Sequence, residues 1–80
     1  MVAPNPASRD LHVRVSLSGD APARLELLDL AGRRLRAHEL SGGGEQTVRF
    51  QNLERVPPGV YLLRLSQGRE SRFARFAITR

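Results

Sequence analysis

From Leu11 the chain alternates between apolar Leu11, Val13, Val15 and Leu17 and polar His12, Arg14 and Ser16. A period of two predicts a strand with one buried face. Ser18-Gly19-Asp20-Ala21-Pro22 is a turn cluster that ends it. Ala23, Leu25 and Leu27 then alternate with Arg24, Glu26 and Leu28, and this second strand runs into Asp29-Leu30-Ala31-Gly32-Arg33. Gly32 supplies the positive φ that a tight hairpin demands, and Asp29 is placed to cap the turn with its carboxylate. A third strand, from about Arg34 to Leu40, is expected to direct Leu35, Ala37 and Leu40 inward. Residues 23–40 are also rich in helix formers, but Gly32 in the middle and alternation on either side favour the hairpin over a helix.

Ser41-Gly42-Gly43-Gly44 reads as a flexible loop, and Glu45 to Phe50 as a short strand with Val48 and Phe50 on one face. Gln51 to Pro58 is a connection that closes on Pro57-Pro58-Gly59, a stop-and-turn sequence. The most apolar run follows: Tyr61, Leu63 and Leu65 alternate with Val60, Leu62 and Arg64, the pattern of a central strand. After the turn Ser66-Gln67-Gly68-Arg69, a closing strand from Glu70 to Thr79 is expected to point Ala74, Phe76 and Ile78 inward and Phe73, Arg75 and Ala77 outward. Six to seven short strands with regular turn clusters predict an all-β fold, a small antiparallel Ig-like β-sandwich. Ordered pattern begins at Leu11, so residues 1–10 are assigned to a Pro-rich linker and residues 11–80 to the domain.

Length restricts this reading to one domain, because 80 residues support a single small core that is marginally stable without staples. The absence of Cys excludes disulfide scaffolds, zinc fingers and Cys nucleophiles. No apolar run approaches the ~20 residues of a membrane helix. Met1-Val2-Ala3-Pro4-Asn5-Pro6 lacks the basic and apolar regions of a signal peptide; if the protein is exported, its address is on a longer precursor or is the domain itself.

Charge sharpens the picture. All 13 basic residues are Arg, against 8 acids, for a net charge of +5. Five of those arginines (64, 69, 72, 75 and 80) and a single acid, Glu70, fall in residues 64–80. Their spacing is that of solvent-facing strand positions, which favours a solvated sheet face over a nucleic-acid stripe. Phe50, Tyr61, Phe73 and Phe76 are few aromatics for base stacking, and no nucleic-acid partner is expected.

Candidate chemistry is sparse. His12 and His38 lie on different strands at positions read as solvent-facing, without the carboxylate company of a metal site. No Ser stands in a G-x-S-x-G elbow. Gly42-Gly43-Gly44 has neither a following helix nor a Walker lysine. Catalysis, metal binding and cofactors are not expected.

Three segments, in order, resemble a known family: Pro4-Asn5-Pro6 before the first strand, Leu28-Asp29-Leu30-Ala31-Gly32-Arg33-Arg34-Leu35-Arg36 across the hairpin, and Leu53 to Leu65 with Pro57-Pro58-Gly59-Val60-Tyr61-Leu62-Leu63-Arg64-Leu65. They are similar to the type A C-terminal sorting domains of type IX secretion cargo, found in Bacteroidota and also related to flagellar-hook-capping Ig-like domains. That family shows a PNP-like start, a YDLxGR hairpin, an LPxGxYxLRL segment and a closing strand with basic residues near its end. Leu28 stands where the family usually has an aromatic, and Arg75 and Arg80 stand where it has Lys. Arg for Lys is not neutral where a pocket reads an ammonium.

The resemblance implies a non-catalytic export label at the end of a larger cargo protein. Its partners would be the type IX translocon, a surface sortase-like protease that removes it, and anionic lipopolysaccharide to which cargo is joined; its location would be the cell surface or beyond. Gly59, Tyr61, Arg75 and Arg80 correspond to the family's recognition motifs, and Pro4, Asn5 and Pro6 to the region where processing occurs. Each has a plainer reading too: Gly59 as a turn residue, Tyr61 as a core aromatic with its hydroxyl at the rim, the arginines as solvated strand positions. A structural or adhesive Ig-like module beside a secreted enzyme is the alternative for the whole chain, and an anion-binding module a third. Free sheet edges also allow weak pairing into a homodimer.

Overall fold

A computed structural model describes residues 2–4 and 9–79, with side chains over 9–79. Seven strands form it: β1 (Val2–Pro4), β2 (Leu11–Leu17), β3 (Ala23–Leu28), β4 (Arg34–Leu40), β5 (Gly44–Phe50), β6 (Gly59–Gln67) and β7 (Glu70–Ile78). They make two antiparallel sheets, of order β1-β2-β5 and β4-β3-β6-β7, packed face to face as the small all-β sandwich that the alternation predicts. The chain crosses between sheets after β2, β4 and β5.

The core is the sum of the predicted inward faces. Leu11, Val13, Val15 and Leu17 from β2 meet Ala23, Leu25 and Leu27 from β3, with Val48, Phe50, Tyr61, Leu63, Leu65, Phe76 and Ile78 completing the cluster. β2 is the cleanest case, buried and exposed in strict alternation, because its outward side meets solvent and its inward side meets the other sheet.

The structure corrects the sequence reading in three places. Ordered pairing begins before Leu11: Val2–Pro4 pairs antiparallel with Val13–Val15, so part of the segment read as linker is a third strand of the first sheet. The connection after β5 is a piece of the core, since Leu53 and Val56 are buried there and a single 3-10 turn, Leu53–Arg55, plugs the end of the sandwich. Asn52 enters that turn with a left-handed backbone at φ 60°, a conformation its short polar side chain tolerates. The Leu53 amide is fixed by the Arg9 carbonyl at 2.8 Å.

The third strand is the other place of disagreement. Ala37 lies opposite Glu26 and is exposed, not inward. A register shift at Leu27/Leu28 skips Leu35 in the pairing, and both Leu35 and Leu40 pack partly buried against the core. The inward side of β4 carries His38, opposite Leu25, whose ring meets Phe50 edge-on at a centroid distance of 4.9 Å. His38 is exposed, as expected, yet it shields the flank of the core. An edge strand has solvent on one side, so a polar ring there keeps its hydration while its apolar edge covers Phe50.

The hairpins follow turn chemistry. Between β6 and β7 the loop is Gly68-Arg69, with Gln67 paired to Glu70 and Gly68 at φ 60°, the positive φ that two-residue hairpins require.

Candidate docking surface

The turn between β3 and β4 is built on Asp29. One carboxylate oxygen accepts the Ala31 and Arg33 amides at 3.0 and 2.8 Å, and the other accepts the Arg33 side chain at 2.7 Å. The Gly32 amide donates to the Asp29 carbonyl at 3.0 Å, at a Gly32 φ of 86°. The Arg33 amide, and then its guanidinium, hold the Asp29 carboxyl below the ordinary carboxylate range. This geometry gives Asp29 and Gly32 a folding role; it presents no reactive group.

Gly59 and Tyr61 lie together at the start of β6. The position of a Cβ on Gly59 falls 3.9 Å from Tyr61 Cε2, and the Gly59 backbone sits at φ 155°, outside the usual range of an L residue. The Tyr61 ring is buried beside Phe76, with ring centroids 6.0 Å apart. Its hydroxyl donates to the Pro57 carbonyl four residues upstream. A tyrosine near the start of a strand that bonds back to the preceding chain is the tyrosine corner of Ig-like sandwiches. It ties down the Pro57-Pro58-Gly59 turn, and it leaves little of Tyr61 for a partner to touch.

Arg75 is on the opposite side of the same sheet. It lies opposite Leu62 and is exposed, whereas Tyr61 faces the core. The structure therefore separates the candidate recognition residues into a buried group, Gly59 and Tyr61, and a surface residue, Arg75. Arg80, Asn5 and Pro6 lie outside the described residues; Pro4 is described by its backbone alone, paired with Val13.

What surrounds Arg75 was not singled out in the sequence. Val60 lies opposite Ala77, Leu62 opposite Arg75 and Arg64 opposite Phe73 on the outward face of β6 and β7. Phe73 is 59% exposed and Val60 43%, two of the three large apolar side chains left in solvent among the described residues. Next to them, on β3, two outward residues are buried: Glu26 at 4% and Leu28 at 3%. Glu26 lies beneath Arg64, whose Nε and terminal nitrogen reach one carboxylate oxygen at 2.9 and 2.8 Å, while Arg34 approaches the other at 3.7 Å. Long arginine stems thus cover an outward carboxylate and its apolar neighbours, which strand parity alone assigned to solvent.

Ion pairing is uneven along the chain. On β2 to β6, Arg14, Arg24, Arg34, Arg49 and Arg64 each meet a carboxylate, and Arg36 donates to the Leu35 and Asn52 carbonyls. Among the described residues, Arg72 and Arg75 of β7 and Arg69 of its turn meet none. Arg9 and Arg55, outside the strands, also meet none, so of the unpaired arginines only Arg72 and Arg75 stand on a strand, with Glu70 as its one acid. Arg72 and Glu70 border a shallow depression lined by Ser16, Leu17, Ser18, Leu65 and Gln67 at the end of the sandwich. Among the described residues, no three His, Asp or Glu side chains gather as a metal site.

No curated protein matches the chain. A family model described as the secretion system C-terminal sorting domain matches residues 1–79. With the sandwich, the Asp29 hairpin and the basic closing strand in place, that match over nearly its whole length makes this chain a member of the type IX secretion C-terminal sorting domain family.

Proposed function

We propose that the domain is a non-catalytic address label carried behind a larger cargo protein, read in the periplasm by the type IX translocon and cut off at the cell surface by a sortase-like protease. The match of residues 1–79 to the family of C-terminal sorting domains carries this reading. The cargo is then released or joined to anionic lipopolysaccharide. In this scheme Arg75, on the surface, and Arg80 are elements of recognition, and Gly59 and Tyr61 shape the start of β6. Pro4, Asn5 and Pro6 mark the processing region, where prolines favour the extended chain that a protease requires.

Fusion tests it. Residues 1–80 attached to a periplasmic reporter in a type IX-competent host should bring the reporter to the cell surface. Retention of the intact, folded fusion in the periplasm would overturn the proposal. Arg80→Ala probes recognition without removing a strand, and is expected to lower surface delivery while leaving the fold intact.

A further inference from the structure

We propose that the free edge of β7 accepts an acidic β-strand of a partner protein, with Arg75 and Phe73 as the side chains that select it. The inference rests on the sorting-domain reading and deepens it by naming the chemistry of the partner. β7 ends its sheet and pairs with β6 in unbroken register from Glu70 to Ile78. Its other side therefore offers main-chain donors and acceptors along a straight strand that contains no Pro and no bulge. Natural sheet edges are normally blunted against pairing by shortness, bulges, Pro or charged side chains, and of these β7 carries only charges, Glu70, Arg72 and Arg75. β1 is three residues long and reaches Pro4, and β4 carries the register shift at Leu27/Leu28. β5 is straight, but its Glu45 and Arg49 are both engaged in ion pairs. β1 lies alongside β7 without forming a ladder with it.

Charge selects the occupant. Arg75 on the outward face and Arg72 at the sandwich end meet no carboxylate among the described residues. A strand laid against β7 sets its alternate side chains beside Phe73, Arg75 and Ala77 on one face. Carboxylates at those positions make charge-assisted cross-strand pairs, and an apolar residue beside Phe73 covers a ring that is 59% exposed. A second copy of this chain instead brings another net charge of +5 to the same edge. Lipid and nucleic acid supply anions but no strand to complete the ladder, so a protein strand fits more of what β7 exposes.

The test uses the whole chain, isotopically labelled, with a synthetic peptide of about ten residues alternating Glu with Thr and Val. Amide-exchange protection should appear along β7, and Arg75→Glu should weaken binding by about tenfold or more. Phe73→Ser should weaken it severalfold, with circular dichroism unchanged in both variants. A peptide with Lys in place of Glu, or one N-methylated at alternate amides, should not bind. Four results would overturn the proposal: equal binding by the N-methylated peptide, protection located elsewhere, self-association through β7 that the peptide does not disturb, or stronger protection of β7 by phosphatidylglycerol vesicles. The two readings fail separately. An exported native fusion with no peptide protection removes the edge proposal alone, and β7 protection with a native fusion held in the periplasm removes the sorting reading alone.

Discussion

The outward face of β2 and β5 is polar and internally neutralised: Arg14 meets Glu45 at 2.9 Å and Arg49 meets Asp10 at 2.7 Å. The outward face of the β4-β3-β6-β7 sheet buries a carboxylate under two arginines, leaves Phe73 and Val60 in water, and ends in Arg75, which meets no carboxylate among the described residues. Both faces come from the same alternation. Both set carboxylates among the arginines, but only the second also sets Leu28, Leu62, Val60 and Phe73 there. One face is saturated, and the other keeps unspent binding capacity of both apolar and charged kinds. Exposed arginines alone do not mark a surface; arginines that lack carboxylates beside uncovered rings do.

The largest effect expected from breaking this contrast is at Glu26. Glu26→Ala strands Arg64 and Arg34 over an apolar patch and should cost about 2–3 kcal/mol, less than a fully buried pair because both guanidiniums keep water. Chemical denaturation measures it, and a change near zero would show that the carboxylate is not structurally coupled to the arginines above it. Tyr61→Phe comes next, losing the bond to Pro57 for about 1 kcal/mol, or a Tm lower by about 4–8 °C for a domain of this size. If surface delivery survives in that variant, Tyr61 serves the fold; if delivery is lost while the melting temperature falls only by that amount, the hydroxyl is read by a partner.

On the saturated face the matching change is smaller. Glu45→Ala breaks an exposed pair and should cost under about 1 kcal/mol, with any effect fading in salt; a loss as large as that of Glu26→Ala would erase the distinction between the faces. Acid should act on both sheets alike. The Arg49 side chain holds Asp10, and the Arg33 amide holds Asp29, below the ordinary carboxylate range. Both groups favour the folded state when ionised. Their contribution is complete above the unfolded carboxylate value near pH ~4 and is lost as pH falls through their lower folded values. Thermal melts from pH 6 to 2 should show that decline, and Asp29→Asn should flatten part of it. Smallest of all, Phe73→Ser should shift stability by no more than about 0.5 kcal/mol while lowering binding of an apolar dye, since most of the ring is in solvent.

Most of the sandwich was legible in the sequence because a period of two is written in residue types wherever one side of a strand is wet. β2, β3, β6 and β7 were located within a residue or two for that reason, and the Asp29-to-Arg33 turn because Gly and Asp have local conformational preferences. The surface around Arg75 was less legible. Strand parity assigned Glu26 and Leu28 to solvent, but cross-strand neighbours decide whether an outward residue is covered, and Arg64 reaches Glu26 from 38 positions away. Leu53 and Val56 were read as a connection because two apolar residues in an irregular segment have no period to betray them. Ala37 was misassigned because a bulge shifts parity and leaves no trace in composition.

Strands β2 to β7, most of their buried faces, the hairpin turns and the motif order that identifies the family are written in residues close together in the chain. Tertiary packing set which arginines are neutralised, which outward side chains are buried, that Tyr61 lies in the core while Arg75 lies on the surface, and that β7 is a long edge without Pro or bulge. Ion pairing and edge exposure depend on which strand lies beside which, and strand order is fixed by packing two sheets into one core, a property no local pattern records.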